Sequence, residues 1–133
     1  MKNGERGQTP FTPAVSVILQ LNKRLTNIKK KGVKTEIEHV SEMAQYFRKE
    51  IENMPFDIFS QSPSNAVTAL EPTCGISPHT FFEILDRKYN IWICPNGGEL
   101  GEKIFRVGHI GNVDKRDYDR LVSALREIVE MHS

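Results

Sequence analysis

The stretch Ile91-Trp92-Ile93-Cys94-Pro95-Asn96-Gly97-Gly98-Glu99-Leu100-Gly101-Glu102-Lys103-Ile104-Phe105-Arg106-Val107 decides the fold class. Its two ends, residues 91–94 and 104–107, are short runs of isoleucine, valine and aromatic side chains. Between them lies a proline, an asparagine and three glycines. Apolar runs of that length separated by turn residues read as two strands. Strands joined by a short turn pair antiparallel. Because Gly97, Gly98 and Gly101 join two strands rather than a strand and a helix, they do not fit a dinucleotide-binding fingerprint.

Working outward, apolar residues return at helical spacing. Downstream, Asp114 is placed to cap a helix carrying Leu121, Val122, Leu125, Ile128 and Val129, with Val113 and Tyr118 positioned as a hydrophobic staple around that cap. Upstream, Ser77-Pro78 is a helix start, serine at the N-cap and proline at the first position, followed by Phe81, Phe82, Ile84 and Leu85. Two further strands are expected at 56–60 and 66–70, with Ser62-Pro63-Ser64-Asn65 as their turn. Earlier still, Ile37, Val40, Ala44, Phe47 and Ile51 mark one helix, ending before Pro55. Val17, Ile18, Leu21, Leu25 and Ile28 mark another, with Lys29, Lys30 and Lys31 complementing its dipole and Gly32 stopping it. Thr12 is its expected N-cap, and Pro13 is expected in its first turn. Residues 1–12 read as an extended approach segment, held by Pro10 and Pro13. The order is α-α-β-β-α-β-β-α. It predicts an α+β fold in one domain over residues 1–133: a small antiparallel sheet of about four strands with helices packed on one face.

Composition narrows the function classes. Eighteen basic and 17 acidic residues leave a net charge of +1, which gives no electrostatic case for nucleic acid or an anionic membrane. No apolar run approaches the ~20 residues needed to span a bilayer, and the first residues lack the apolar region of a secretory signal. Cys74 and Cys94 lie in neither a redox nor a zinc spacing, and two isolated thiols suit a reducing cytoplasm.

Few residues are candidates for chemistry. His39, His79 and His132 fall on helical faces or ends expected to be wet. No metalloprotease, phosphate-loop, nucleophile-elbow or calcium-loop pattern occurs. Arg106 differs, because an arginine inside an apolar strand is costly to bury unless it meets an anion. Its planar fork of donors matches a carboxylate bidentately, which lysine cannot do. The competing reading turns Arg106 to the solvent face of an edge strand, paired with a surface glutamate. A second candidate is Gly7-Gln8-Thr9-Pro10-Phe11-Thr12-Pro13-Ala14, whose polar side chains precede a helix N-terminus, where phosphate binds well. Its plainer reading is a stiff linker with a capped helix.

Together the two segments resemble one family. Residues 9–16, T-P-F-T-P-A-V-S, look like the stretch that opens the C-terminal part of class V pyridoxal-phosphate aminotransferases. Residues 103–111, K-I-F-R-V-G-H-I-G, look like the arginine signature near their end. The nearest group resembled is the alanine–glyoxylate and serine–pyruvate aminotransferases. The resemblance implies that Arg106 grips the substrate α-carboxylate, and that the threonine-proline segment reaches the phosphate of pyridoxal 5'-phosphate in the neighbouring subunit, with Thr9 the best-matched residue, Gln8 a weaker match and Thr12 an alternative. It also implies that the 96–98 loop lies near the mouth of the active site. His109 has no chemical role in that scheme and is expected to be structural. Amino acids and 2-oxo acids such as pyruvate or glyoxylate would be the substrates, in a homodimer of the whole enzyme. No catalytic residue and no metal ligand is carried over. The lysine that holds the cofactor belongs to a large domain that has no counterpart here, so the chain is expected to be an inactive fragment whose first helix presents an apolar surface. The alternative is a stand-alone, non-catalytic ligand-sensing or dimerisation module.

Overall fold

A computed structural model describes residues 13–132. The chain divides into two compact units, Met1–Glu36 and Ile37–Ser133. The first holds helix α1, Val15–Lys31, and the opening of α2, Val33–Glu50. Helix α1 begins two residues later than Pro13. Val15 N–H bonds back to the Pro13 carbonyl at 2.9 Å, a tight inverse turn about Ala14, which occupies the N-cap without a side-chain bond. Thr12 lies outside the described residues. Gly32 ends α1 as expected: at φ 95 its N–H reaches the Ile28 carbonyl at 2.8 Å, a conformation that penalises any side chain. Arg24 and Glu36 form an ion pair within this unit. No residue of α1 is buried, and Val15, Val17, Ile18, Leu19, Leu21 and Leu25 are each more than half exposed.

The second unit carries the core. After α2 come β1, Phe56–Ile58; β2, Val67–Pro72; α3, Pro78–Tyr89; β3, Cys94–Pro95; β4, Phe105–Gly108; and α4, Lys115–Met131. The order is the expected one. All strand neighbours are antiparallel, in the order β1-β2-β4-β3, so β4 is an inner strand. The strand expected at 91–94 shortens to Cys94–Pro95. Asn90 takes a left-handed conformation to close α3, and Ile91 N–H returns to the Leu85 carbonyl at 3.0 Å. The chain is thus still tied to the helix end at the point where a strand would begin. Pro95 then offers no N–H to lengthen the ladder.

Partners in an antiparallel ladder point to the same face, and neighbours along a strand to opposite faces. Leu70 opposite Phe105 and Thr68 opposite Val107 therefore share one face. Phe47 of α2, Phe81 and Leu85 of α3, and Tyr118, Leu125 and Ile128 of α4 pack there with them. Phe105 is fully buried, with its ring 5.9 Å from Phe56 and 5.6 Å from Phe81. Ala69, Cys94, Arg106 and Gly108 lie on the other face, which no helix of this unit covers.

The N-caps expected for α3 and α4 are both formed. Ser77 Oγ accepts from Thr80 N–H at 3.1 Å, with Pro78 at the first helical position. Asp114 and Asp117 make a reciprocal capping box, with Asp114 N–H donating to Asp117 at 2.9 Å and Arg116 N–H to Asp114 at 2.9 Å. Val113 and Tyr118 both join the core. No helix among the described residues is long and apolar enough to cross a membrane.

Candidate functional site

Arg106 lies in the middle of β4, opposite Ala69 of β2 and Cys94 of β3. Alternation along Phe105-Arg106-Val107 sends its two neighbours into the core and leaves Arg106 half-buried. One Nη donates to Cys94 Sγ at 3.0 Å and more weakly to the Pro95 carbonyl at 3.4 Å. Nε is buried and has no acceptor among the described residues. No glutamate or aspartate pairs with this guanidinium among those residues, unlike Arg87 and Arg116, whose charges are met by Glu83 and Asp114. The surface-glutamate reading of Arg106 therefore has no partner to support it. What remains is a cation in a polar-poor setting with a donor still to satisfy.

Arg106 is among the residues lining a cleft of about 240 Å³ between the segment 91–94, the C-terminal half of β4 and the start of α4. Trp92, Cys94, Gly108, Val113, Asp117 and Tyr118 are among its walls. Trp92 is 72% exposed, its ring edge-on to Phe82 at 4.7 Å. Gly108 contributes no side chain, and an added Cβ would meet nothing within 4 Å, so the approach to Arg106 past this point is open. The 96–98 loop leads into a short 3-10 turn, Gly98–Leu100, with Gly98 at φ 62. At Gly101 an added Cβ would sit 3.0 Å from the Asn96 carbonyl oxygen and 3.2 Å from that of Gly98, so a side chain there would require the loop backbone to shift. Gln8 and Thr9 lie outside the described residues.

Behind Arg106, on the covered face, is a group of polar side chains that the sequence did not announce. Thr68 and His109 are fully buried. Arg48 Nε donates to Thr68 Oγ1 at 3.0 Å, and Arg48 Nη2 to the Ser64 carbonyl at 2.5 Å. Thr68 Oγ1 is 2.8 Å from His109 Nε2, and His109 Nδ1 is 3.0 Å from the Tyr118 hydroxyl, which donates to the Gly108 carbonyl at 3.1 Å. Only one proton arrangement satisfies every member. Thr68 accepts from Arg48, so its own proton goes to Nε2; the ring proton then sits on Nδ1 and is given to Tyr118. Burial, aided by the nearby Arg48 charge, pulls the His109 pKa down to about 4, so the ring is neutral. Burial likewise pushes Tyr118 up to about 12, keeping its hydroxyl protonated. His109 is structural in this geometry. The remaining histidines are peripheral: His39 meets the Val113 carbonyl at 3.0 Å, His79 is exposed, and His132 returns to the Ile128 carbonyl at 2.8 Å. Both cysteines are free thiols.

Comparison with known proteins bears on the fold. No family model matches the chain. A protein of Methanocaldococcus jannaschii described as an uncharacterized aminotransferase is 32% identical over 109 residues, 80% of this chain and 28% of its own length. The soluble hydrogenase small subunit of a Synechococcus strain is 27% identical over 130 residues, 96% of this chain and 34% of its own. Among solved structures, alanine–glyoxylate aminotransferase from Nostoc superposes with a TM-score of 0.81 at 21% identity, over 91% of this chain and 33% of that one. Pyridoxamine–pyruvate aminotransferase from Mesorhizobium loti gives 0.80 at 22% identity, over 93% and 33%. The chain thus spans about a third of the length of the relatives it matches. Its fold is that of the C-terminal domain of aminotransferases, with class V enzymes among its structural neighbours.

Proposed function

We propose that residues 1–133 constitute the substrate-carboxylate-binding domain of a pyridoxal-phosphate-dependent transaminase. That enzyme would move an amino group between an amino acid and a 2-oxo acid such as pyruvate or glyoxylate, as a cytoplasmic homodimer. The observation that supports the reading is Arg106: an inner-strand guanidinium on the uncovered sheet face, with a buried Nε and no carboxylate partner among the described residues. Thr9 and Gln8 are the residues proposed to reach the cofactor phosphate.

Bound pyridoxal phosphate would supply the electron sink that makes the substrate Cα–H acidic. This chain's own contribution is orientation. Arg106 would receive the carboxylate through two parallel N–H bonds, fixing its plane and with it the direction of the Cα–H bond. Gly108, which bears no side chain, would leave room for the approach.

Loss of one arm of a bidentate charged contact costs about 3 kcal/mol in the transition state, or about a hundredfold in rate. In the complete enzyme, Arg106→Lys is expected to lower kcat/KM by that factor and to leave cofactor occupancy, read from its visible absorbance, unchanged. Equal loss of both quantities, or of neither, would refute the assignment.

A further inference from the structure

We propose that Thr68, His109 and Tyr118 act as a positioning relay that sets the orientation of Arg106. This inference rests on the reading of Arg106 as the carboxylate clamp and names what holds that clamp in place. The relay lies directly behind it. Thr68 sits opposite Val107 in the ladder, one residue from the Ala69–Arg106 pair, and His109 follows Arg106 by three residues. Val107 and His109 point into the core while Arg106 points out, so any roll of β4 about its axis moves the guanidinium and His109 together.

Such a roll is resisted at three points. His109 N–H holds the Ala66 carbonyl at 2.9 Å, extending the ladder beyond the strand. Its ring is gripped on both nitrogens, by Thr68 at 2.8 Å and Tyr118 at 3.0 Å. The Tyr118 hydroxyl closes the circuit on the Gly108 carbonyl, two residues from Arg106. Because Thr68 and His109 are fully buried and Tyr118 nearly so, no water can stand in for a lost member. The ring is further confined by Phe47 at 5.6 Å and Tyr118 at 5.5 Å between centroids. Apolar side chains of matching size could fill this space. A directed chain of hydrogen bonds adds a single allowed orientation, which close packing alone does not define.

The test uses the 133-residue chain, labelled so that nuclear magnetic resonance reads the Arg106 Nε–Hε pair, the His109 ring nitrogens and the binding of added pyruvate. In the wild type, His109 is expected as the Nδ1–H form and Arg106 as one sharp Nε–Hε signal. Thr68→Val keeps side-chain shape and removes the hydroxyl; Tyr118→Phe keeps the ring and removes only the far end of the relay. Each is expected to shift or broaden the Arg106 signal and to weaken pyruvate binding about fivefold, the effect of one neutral hydrogen bond. Thr68→Ser should restore both, and the signals of Arg87 and Arg116 should not move. An unchanged Arg106 signal and pyruvate affinity in a folded Tyr118→Phe or Thr68→Val protein would overturn the relay. Were the wild type blind to pyruvate while its Arg106 signal still responded to these variants, the clamp reading would fail and the relay would stand.

Discussion

Acidification provides a direct test of how deeply His109 is embedded. A histidine held at a pKa of about 4 in the folded chain takes up its proton near 6.5 once unfolded. Between those values the unfolded state binds more protons, so stability rises with pH. The contribution is therefore complete above about pH 6.5 and is lost progressively as the pH falls toward 4. Linkage over that gap amounts to about 2.5 kcal/mol between pH 7.5 and pH 4.5. At the precision of these pKa values, the expected loss is about 2 kcal/mol. Glu42, hydrogen-bonded to Lys115, and Asp114, hydrogen-bonded to Arg116, are held below the usual carboxylate range and add their own losses at lower pH. A comparison with His109→Gln removes those shared terms. Urea unfolding at pH 7.5, 6.0 and 4.5 should show the wild type losing about 2 kcal/mol more than the variant. Parallel curves, or a His109 ring signal titrating near 6.5, would refute the buried, neutral assignment.

Core and cap predictions follow from the same structure. Phe105→Ala removes a fully buried ring wedged between Phe56 and Phe81, and should cost about 3–5 kcal/mol in urea unfolding; a cost below about 1 would mean the covered face is wrongly assigned. Asp114→Ala removes the acceptor at the start of α4, and a loss of about 1 kcal/mol with faster amide exchange confined to the first turn is expected. In the complete enzyme, Arg106→Lys should separate turnover from cofactor loading, as set out above.

Most of the scaffold could be read from local signals. Ser77-Pro78, Asp114 and Gly32 each satisfy or stop a helix end through chemistry confined to a few residues, and all three do so here. The apolar stripes of α3 and α4 are buried as their spacing implies. The stripe of α1 is equally clear as a pattern, and it is exposed, as the resemblance implied for the first helix: periodicity shows that a face wants cover and does not name what supplies it. Ile37 behaves likewise, at 64% exposed. Residues 91–94 misled because apolar content cannot separate a paired strand from a loop whose Ile93 is simply tucked into the core.

At the site, Arg106 was legible because a charge among apolar neighbours is conspicuous within four residues. Its environment was not. Thr68 reaches His109 across 41 residues, and Arg48 reaches Thr68 across 20, so no local pattern could have joined them. One signal was available: His109 continues the alternation of Phe105 and Val107, which places it on the covered face. A histidine in that position needs two buried partners. Cys94 beside Arg106 follows only from the β3–β4 register, which the shortened strand fixes.

The central claim is that Arg106 waits for a carboxylate. The most direct measurement is the rate at which phenylglyoxal modifies each arginine of the 133-residue chain, read by mass spectrometry with and without saturating pyruvate. Pyruvate should slow modification of Arg106 several-fold and leave the exposed, ion-paired Arg87 and Arg116 unaffected. Equal rates at Arg106 with and without pyruvate would contradict the claim.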